Sequence, residues 1–214
     1  YNIYNFATCP IERLVEDGQG MSLRQLLKKP IFAAAIILMI CAGASEMSMA
    51  QWASAFAESA LGLTKSVGDL AGACLFATTM GISRMLYGKF GEKIDLIKFM
   101  LISGIICVVS YLLAGLSAMP IWGLVGCVMC GFSVGIMWPG SISITAPRIP
   151  KGGTALFALL AMAGDMGGAF GPSVVGYFSQ HAGDNLQAGL LTGCIFPLIM
   201  LATLIAMKKM TPEG

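Results

Sequence analysis

The composition of this 214-residue chain decides its broad class. Hydrophobic residues make up 57% of the chain and charged residues only 11%, with a mean hydropathy of +0.80. A soluble domain carries about 25% charged residues, so this chain lacks the charge needed to cover a water-facing surface, and the same composition excludes a disordered chain. The net charge is +2, without a basic stripe that could bind nucleic acid. We predict an all-α integral protein of the lipid bilayer, with no catalytic residue, cofactor or metal.

Hydropathy divides the chain into a polar lead, a membrane bundle and a short tail. Residues 1–29 are predicted to be a cytoplasmic linker, in which "SLRQLLKK" forms a short amphipathic helix at the membrane surface. Residues 30–207 are predicted to form a bundle of six spans, each long enough as a helix to cross about 30 Å of hydrocarbon. The predicted spans are 30–56, 67–87, 96–116, 121–144, 154–179 and 186–207. Residues 208–214 are predicted to be a cytoplasmic tail.

The distribution of basic residues predicts the orientation of the bundle. With the N-terminus inside, Lys65 is the one basic residue among the 13 that falls on the outer side. Lysine and arginine accumulate on the cytoplasmic side of membrane proteins. Both termini are therefore predicted to be cytoplasmic, and the protein is predicted to lie in the plasma membrane.

The six spans fall into two sets of three with matching character. The third and sixth are almost purely aliphatic, whereas the second and fifth each contain an aspartate, Asp69 and Asp165, among clustered glycines. The first and fourth carry scattered polar residues and Trp. Three helices followed by three of opposite topology are typical of the inverted repeat of secondary transporters. In that arrangement, the aliphatic helices face lipid and the polar ones line a path.

The most specific motif is the loop "GISRMLYGKFGEKIDLIK", in which Arg84 is followed by "YGKFGEKID". It resembles the degenerate second copy of the loop signature of the major facilitator superfamily. Lys89, Gly91 and Lys93 take the basic and glycine places, and Gly88 stands where the signature has Asp. A plain basic turn that obeys the positive-inside rule is the alternative, and it explains the lysines but not the glycine spacing.

The resemblance implies that the chain is the C-terminal half of a twelve-helix carrier. Such a carrier has two six-helix halves around a central cavity and works by alternating access. The polar start and a first residue other than Met favour the same expectation, so the N-terminal six-helix half is an expected partner. The family is often driven by a proton gradient, which makes a proton or another coupling ion a further expected partner, and symport an expected mode.

Two carboxylates lie within the predicted spans. Asp165 stands in the fifth span among Gly164, Gly167, Gly168 and Gly171, whose spacing of four residues favours close helix packing. Glu46 lies near the middle of the first span, and we expect no Lys or Arg at a comparable depth in this chain. Because a charge at mid-membrane is costly, such residues are functional candidates by default.

The predicted functional residues fall into two groups. Those of the substrate and proton pathway are Glu46, Gln51, Trp52, Ser133, Trp138 and Asp165, and those of a cytoplasmic gating loop are Arg84, Lys89, Gly91 and Lys93. The tryptophans of the first and fourth spans are similar to sugar-stacking positions in the fucose and glucose permease branch of the family. That similarity makes a sugar a possible small-molecule solute, although tryptophan at the membrane interface explains the same pattern.

Two other classes of protein are compatible with parts of the sequence. "GFSVG" around Ser133 matches the nucleophile elbow of serine hydrolases in letters, and His181 could supply a base. The elbow needs a strand–turn–helix context, whereas Ser133 is predicted in mid-helix. A self-contained six-helix channel is the third possibility. "CVMC" (127–130) has no second cysteine pair or histidine nearby, so it is interpreted as packing.

Overall fold

The computed structural model describes residues 4–5, 8–9, 21–62, 64–91 and 94–210. Within these ranges the structure is helical, without strands, and contains six stretches long and apolar enough to cross a membrane. Nine α-helices have defined bounds in the described residues: α1 (Leu23–Leu27), α2 (Pro30–Leu61), α3 (Lys65–Phe90), α4 (Leu96–Leu116), α5 (Pro120–Val134), α6 (Met137–Thr145), α7 (Gly153–His181), α8 (Leu186–Gly193) and α9 (Ile195–Lys209). The prediction of an all-α membrane protein with six spans is confirmed.

The segment before the bundle contains one short helix, whose N-terminus has a capping box. In α1, the Ser22 hydroxyl accepts from the backbone N–H of Gln25, and the Gln25 side chain accepts from the backbone N–H of Ser22. Leu26 is fully buried, and the backbone N–H of Met21 donates to the carbonyl of Lys151 at 2.9 Å. These contacts attach α1 to the bundle. Residues 1–3, 6–7 and 10–20 of the predicted linker lie outside the described residues, as do residues 211–214 of the predicted tail.

Two of the six spans are each built from two helices, and a proline follows each break. The fourth span breaks at Gly135 and Ile136, between α5 and α6, and the sixth breaks at Cys194, between α8 and α9. Pro139 and Pro197 follow each break, and proline has no N–H to donate to the carbonyl four residues earlier. The carbonyls of Gly135 and Gly193 therefore lose their helical donors, and the chain starts a new helix instead.

Helix α2 is the centre of the bundle and packs most extensively against α7. The predicted glycine face of α7 makes this contact: a Cβ on Gly167 would overlap the Ile40 carbonyl, and one on Gly171 would meet Ala44. From the other side, a Cβ on Gly43 would overlap the carbonyl of Gly164. The two backbones thus touch without intervening side chains, which is the close packing that the spacing predicted. Helix α7 continues through Pro172 without a break.

The third span, α4, is divided between a buried and an exposed face. Its buried face includes Cys107 and Tyr111, which have no exposed surface, and the Tyr111 hydroxyl donates to the carbonyl of Ser45 at 2.8 Å. The exposed face is aliphatic. Its members are Ile102, Ile105, Val109, Leu112 and Leu116. This division accords with the predicted lipid-facing role of the helix, which stays a prediction.

Candidate functional site

A cavity of about 300 Å³ lies where α2, α6 and α7 meet. It is lined by Glu46 of α2, Trp138 of α6 and Asp165 of α7, together with Met47 and glycines of the α2–α7 contact. Because glycine has no side chain, these positions leave the space open. Three residues that the sequence proposed for one pathway, from three different spans, are therefore neighbours.

The two carboxylates of this cavity differ in their surroundings. Glu46 is partly buried, and its Oε2 atom is inaccessible and has no hydrogen-bond partner among the described residues. Asp165, by contrast, is exposed on the bundle. A buried acceptor without a donor is destabilising, and a proton or a cationic ligand on Glu46 would relieve that cost.

Arg84, which the sequence analysis grouped with the gating loop, lies within a helix, in accord with its place in the predicted span 67–87. It belongs to α3, and with Glu46, Trp138, Pro139 and Ile142 it lines a second cavity of about 490 Å³. The sequence analysis did not anticipate that a basic residue lines a cavity together with Glu46. The guanidinium interacts electrostatically with Glu46, although the two form no direct ion pair in the structure. Depth was counted along each span separately, which could not show which side chains of different spans share a cavity.

The position of Arg84 follows from the break in the fourth span. Its Nε–H donates to the carbonyl of Gly135 at 3.2 Å, the same carbonyl that Pro139 leaves without a helical donor. A glycine at 135 is also required for the close contact, since a Cβ there would press on the carbonyl of Met80 and the side chain of Ser83. The sequence already contained a signal for this acceptor, because a proline four residues after Gly135 leaves the Gly135 carbonyl without a helical donor.

The other predicted pathway residues lie away from the two cavities. Ser133 is fully buried, and its hydroxyl donates to the carbonyl of Cys130 at 2.8 Å. Trp52 is partly buried with no hydrogen-bond partner for its indole N–H among the described residues, and Gln51 is exposed. These three residues line neither cavity. Their role in a solute path stays a prediction.

The described residues around the predicted gating loop make local contacts. Lys89 lies over the ring of Phe90 at 5.5 Å, and Gly91 ends α3 by donating its N–H to the carbonyl of Tyr87. Lys93 lies outside the described residues. Asp95 caps α4: its carboxylate accepts from the backbone N–H of Lys98 and pairs with the Lys98 ammonium at 3.2 Å. The backbone hydrogen bond, supported by that charge, holds the pKa of Asp95 below its usual value.

The geometry of a serine hydrolase is not found at Ser133. Its hydroxyl is engaged inside α5, whereas His181 ends α7 in an exposed position, with Nδ1 2.8 Å from the carbonyl of Tyr177. Cys127 and Cys130 are both buried and free; the Cys130 sulfur lies 3.8 Å from that of Cys107. The cysteine pair therefore serves as packing, as interpreted from the sequence.

Six spans, with charged residues lining cavities between them, indicate a multi-pass membrane protein. The family model of the Major Facilitator Superfamily matches residues 34–213. The chain therefore belongs to the Major Facilitator Superfamily, and the resemblance of its loop motif is confirmed. Members of this family are transporters that move small solutes across membranes, rather than enzymes.

Two curated relatives are described as multi-drug resistance efflux pump PmrA, from Streptococcus pneumoniae serotype 4 strain TIGR4 and from Streptococcus pneumoniae strain R6. Each is 27% identical over 159 residues, which cover 70% of this chain and 39% of the relative. The chain thus spans about two fifths of the length of the curated relatives that it matches.

Proposed function

We propose that this chain is the C-terminal six-helix half of a proton-coupled secondary transporter, which moves a small solute by alternating access. The observation that carries the proposal is the cavity where Glu46, Trp138 and Asp165 meet on three different spans. Cavities of this size suit small molecules, and charged residues inside a membrane mark solute and proton paths. The proposed setting is the plasma membrane, with residues 1–29 and 208–214 on the cytoplasmic side of the bundle at 30–207.

The N-terminal half is proposed as the partner that completes the cavity. The chain covers 39% of the efflux pumps that it matches, and α3 carries large exposed apolar side chains, of which Leu70 and Met85 are 73% and 75% exposed. In the proposed carrier, lipid and the second half share such surfaces. A six-helix channel would differ, since this chain alone would then conduct solute after reconstitution.

Glu46 is the proposed proton carrier. Its Oε2 atom has no donor among the described residues, so protonation removes an unpaired acceptor and supplies a hydrogen-bond donor in the same place. If access to Glu46 alternates between the two sides, the residue takes a proton on one side and releases it on the other. Asp165, which is exposed in the same cavity, is the second candidate.

Glu46→Gln in the full-length transporter is expected to abolish gradient-driven accumulation while retaining solute exchange, because exchange needs no net proton movement. Because the tryptophan pattern favours a sugar as the solute, labelled sugars are first screened for accumulation by the unmodified protein. Accumulation and counterflow are then measured with a sugar that it accumulates. Asp165→Asn is tested in parallel. The matched control is Glu58→Gln, because Glu58 is an exposed carboxylate of the same helix that lines neither cavity. Accumulation at the unmodified level in both cavity variants would remove the coupling role from these residues.

A cysteine at His181 is expected to react with an impermeant thiol reagent added outside intact cells, whereas one at Lys151 is expected to be protected. The basis is the assignment of Lys65 as the one basic residue on the outer side. His181 and Lys151 are both exposed, so a difference in labelling reports the side of the membrane. Labelling is measured in a full-length background without native cysteines, and permeabilised cells provide the control for reactivity at Lys151. The reverse pattern would invert the proposed topology.

A further inference from the structure

Arg84 has an unusual combination of restraint and unused bonding capacity. Its Nε–H is held by the Gly135 carbonyl, which fixes the plane of the guanidinium. A guanidinium has five N–H donors, and no hydrogen bond or ion pair from the other four is found among the described residues. They belong to a side chain that lines the cavity of about 490 Å³. A guanidinium oriented in this way is suited to the two oxygens of a carboxylate.

The net charge of this cavity depends on whether Glu46 is protonated. Glu46 and Arg84 are the two ionisable side chains in its lining, so the pair sums to zero when both are ionised and to +1 when Glu46 is protonated. Asp165 of α7 faces Glu46 across the smaller cavity. From α4, the buried Tyr111 donates to the carbonyl of Ser45, the residue before Glu46. Asp165 does not line the cavity of Arg84, and both side chains are exposed on the described bundle.

We propose that this cavity binds a small carboxylate solute together with one proton: Arg84 pairs with the solute carboxylate, and Glu46 holds the proton. The proposal rests on the transporter function proposed above and adds the substrate class. A charge left unpaired in a membrane interior is costly. In the empty site, the negative charge of ionised Glu46 balances the positive charge of Arg84. In the loaded site, Glu46 is protonated and the solute carboxylate balances Arg84, so both states are neutral. Trp138 supplies a flat apolar surface for the body of the solute.

The proton and the solute move without any bond change in the solute. The proton comes from water on the side of entry, resides on a carboxylate oxygen of Glu46, and returns to water on the side of release. The solute carboxylate stays ionised throughout. Proton and anion thus travel in the same direction, which accounts for symport in terms of the two side chains.

Calorimetric titration of the purified full-length transporter tests the proposal with three sugars of similar shape and different charge: D-glucuronate, D-glucose and D-glucosamine. At near-neutral pH, D-glucuronate is expected to bind about ten-fold or more tightly than D-glucose, and D-glucosamine more weakly than either. Repeating the titration in buffers of different ionisation enthalpy is expected to show about one proton taken up per glucuronate bound.

Three variants assign the effect to its residues. Arg84→Gln keeps a donor for the Gly135 carbonyl and removes the charge, so it is expected to lower glucuronate affinity about ten-fold and leave glucose binding unchanged. Arg84→Lys, which keeps the charge without the planar fork, is expected to retain part of the preference. Lys65→Gln is the matched control, because Lys65 is an exposed cation of the same helix outside the cavity. Glu46→Gln is expected to bind glucuronate without proton uptake.

The outcomes separate this proposal from the transporter function itself. Tightest binding of D-glucosamine, a glucuronate preference that survives Arg84→Gln, or no saturable glucuronate binding would overturn the carboxylate assignment. In each of those cases, loss of accumulation in Glu46→Gln would still support proton-coupled transport. If Glu46→Gln accumulates solute normally and the glucuronate preference still depends on Arg84, Glu46 is not the proton carrier. Arg84 would then still be the binding site of the solute carboxylate.

Discussion

Gly167→Ala is expected to prevent stable packing of α2 against α7 and so to reduce the yield of folded transporter sharply. A methyl group at this position would overlap the carbonyl oxygen of Ile40, and backbone atoms cannot rotate away as a flexible side chain can. Overpacking of a well-packed interior typically costs about 1–3 kcal/mol and sometimes more, against a total stability of about 5–15 kcal/mol. The measurements are the monodisperse fraction after detergent extraction and the thermal unfolding temperature of the full-length protein.

Gly176→Ala is the matched control for this substitution. Gly176 lies on the same helix, and no atom lies within 4 Å of the position that its Cβ would take. Alanine there is expected to be neutral or slightly stabilising, because glycine is the poorer helix former by about 1 kcal/mol. Equal yields and unfolding temperatures for the two variants would show that the α2–α7 contact is looser than the structure indicates.

Tyr111→Ala is expected to destabilise the bundle by about 3–5 kcal/mol, the range found for removal of a large buried aromatic side chain. Tyr111 has no exposed surface, and a Cβ on Gly193 would lie 2.8 Å from its ring, so the ring fills the space at the break of the sixth span. Its replacement by alanine leaves a cavity between α2, α4 and α8. The expected result is a large fall in the thermal unfolding temperature of the full-length protein.

Tyr111→Phe separates the ring from the hydroxyl. The hydroxyl donates to the Ser45 carbonyl, and hydrogen bonds between membrane helices contribute about 0.6 kcal/mol on average. The phenylalanine variant is therefore expected to remain close to the unmodified protein. A loss of stability in Tyr111→Phe as large as that in Tyr111→Ala would mean that the hydrogen bond, rather than the packing of the ring, stabilises this junction.

Local hydropathy was sufficient to predict the six spans. The third span was predicted at 96–116, and α4 has the bounds Leu96–Leu116; the others differ by a few residues at their ends, as with α7 at Gly153–His181 against 154–179. Each span must satisfy its own backbone hydrogen bonds in hydrocarbon, so its length and composition carry the signal without help from the rest of the fold. The glycine spacing of α7 was likewise readable, because small residues four apart form one face of a helix.

The loop motif was sufficient to identify the family, but it did not reveal the cavity that Arg84 lines. The basic residues around it were interpreted together as a cytoplasmic gate, since they are close in sequence. In the structure, Arg84 joins Glu46 and Trp138, which lie on two other spans. The breaks before Pro139 and Pro197 were also missed, although the missing N–H of proline is a property of the sequence alone.

The sequence by itself therefore determined the class, the number of spans and the surfaces where helices can approach closely. Only the tertiary structure decided which charged residues share a cavity. The physical reason is that hydropathy and glycine spacing act along one helix, whereas the depth of a side chain relative to another helix depends on how far the two helices slide past each other. The contact of Gly72 with Ala53 helps to set that register between α3 and α2, and in the folded bundle Arg84 and Glu46 line one cavity.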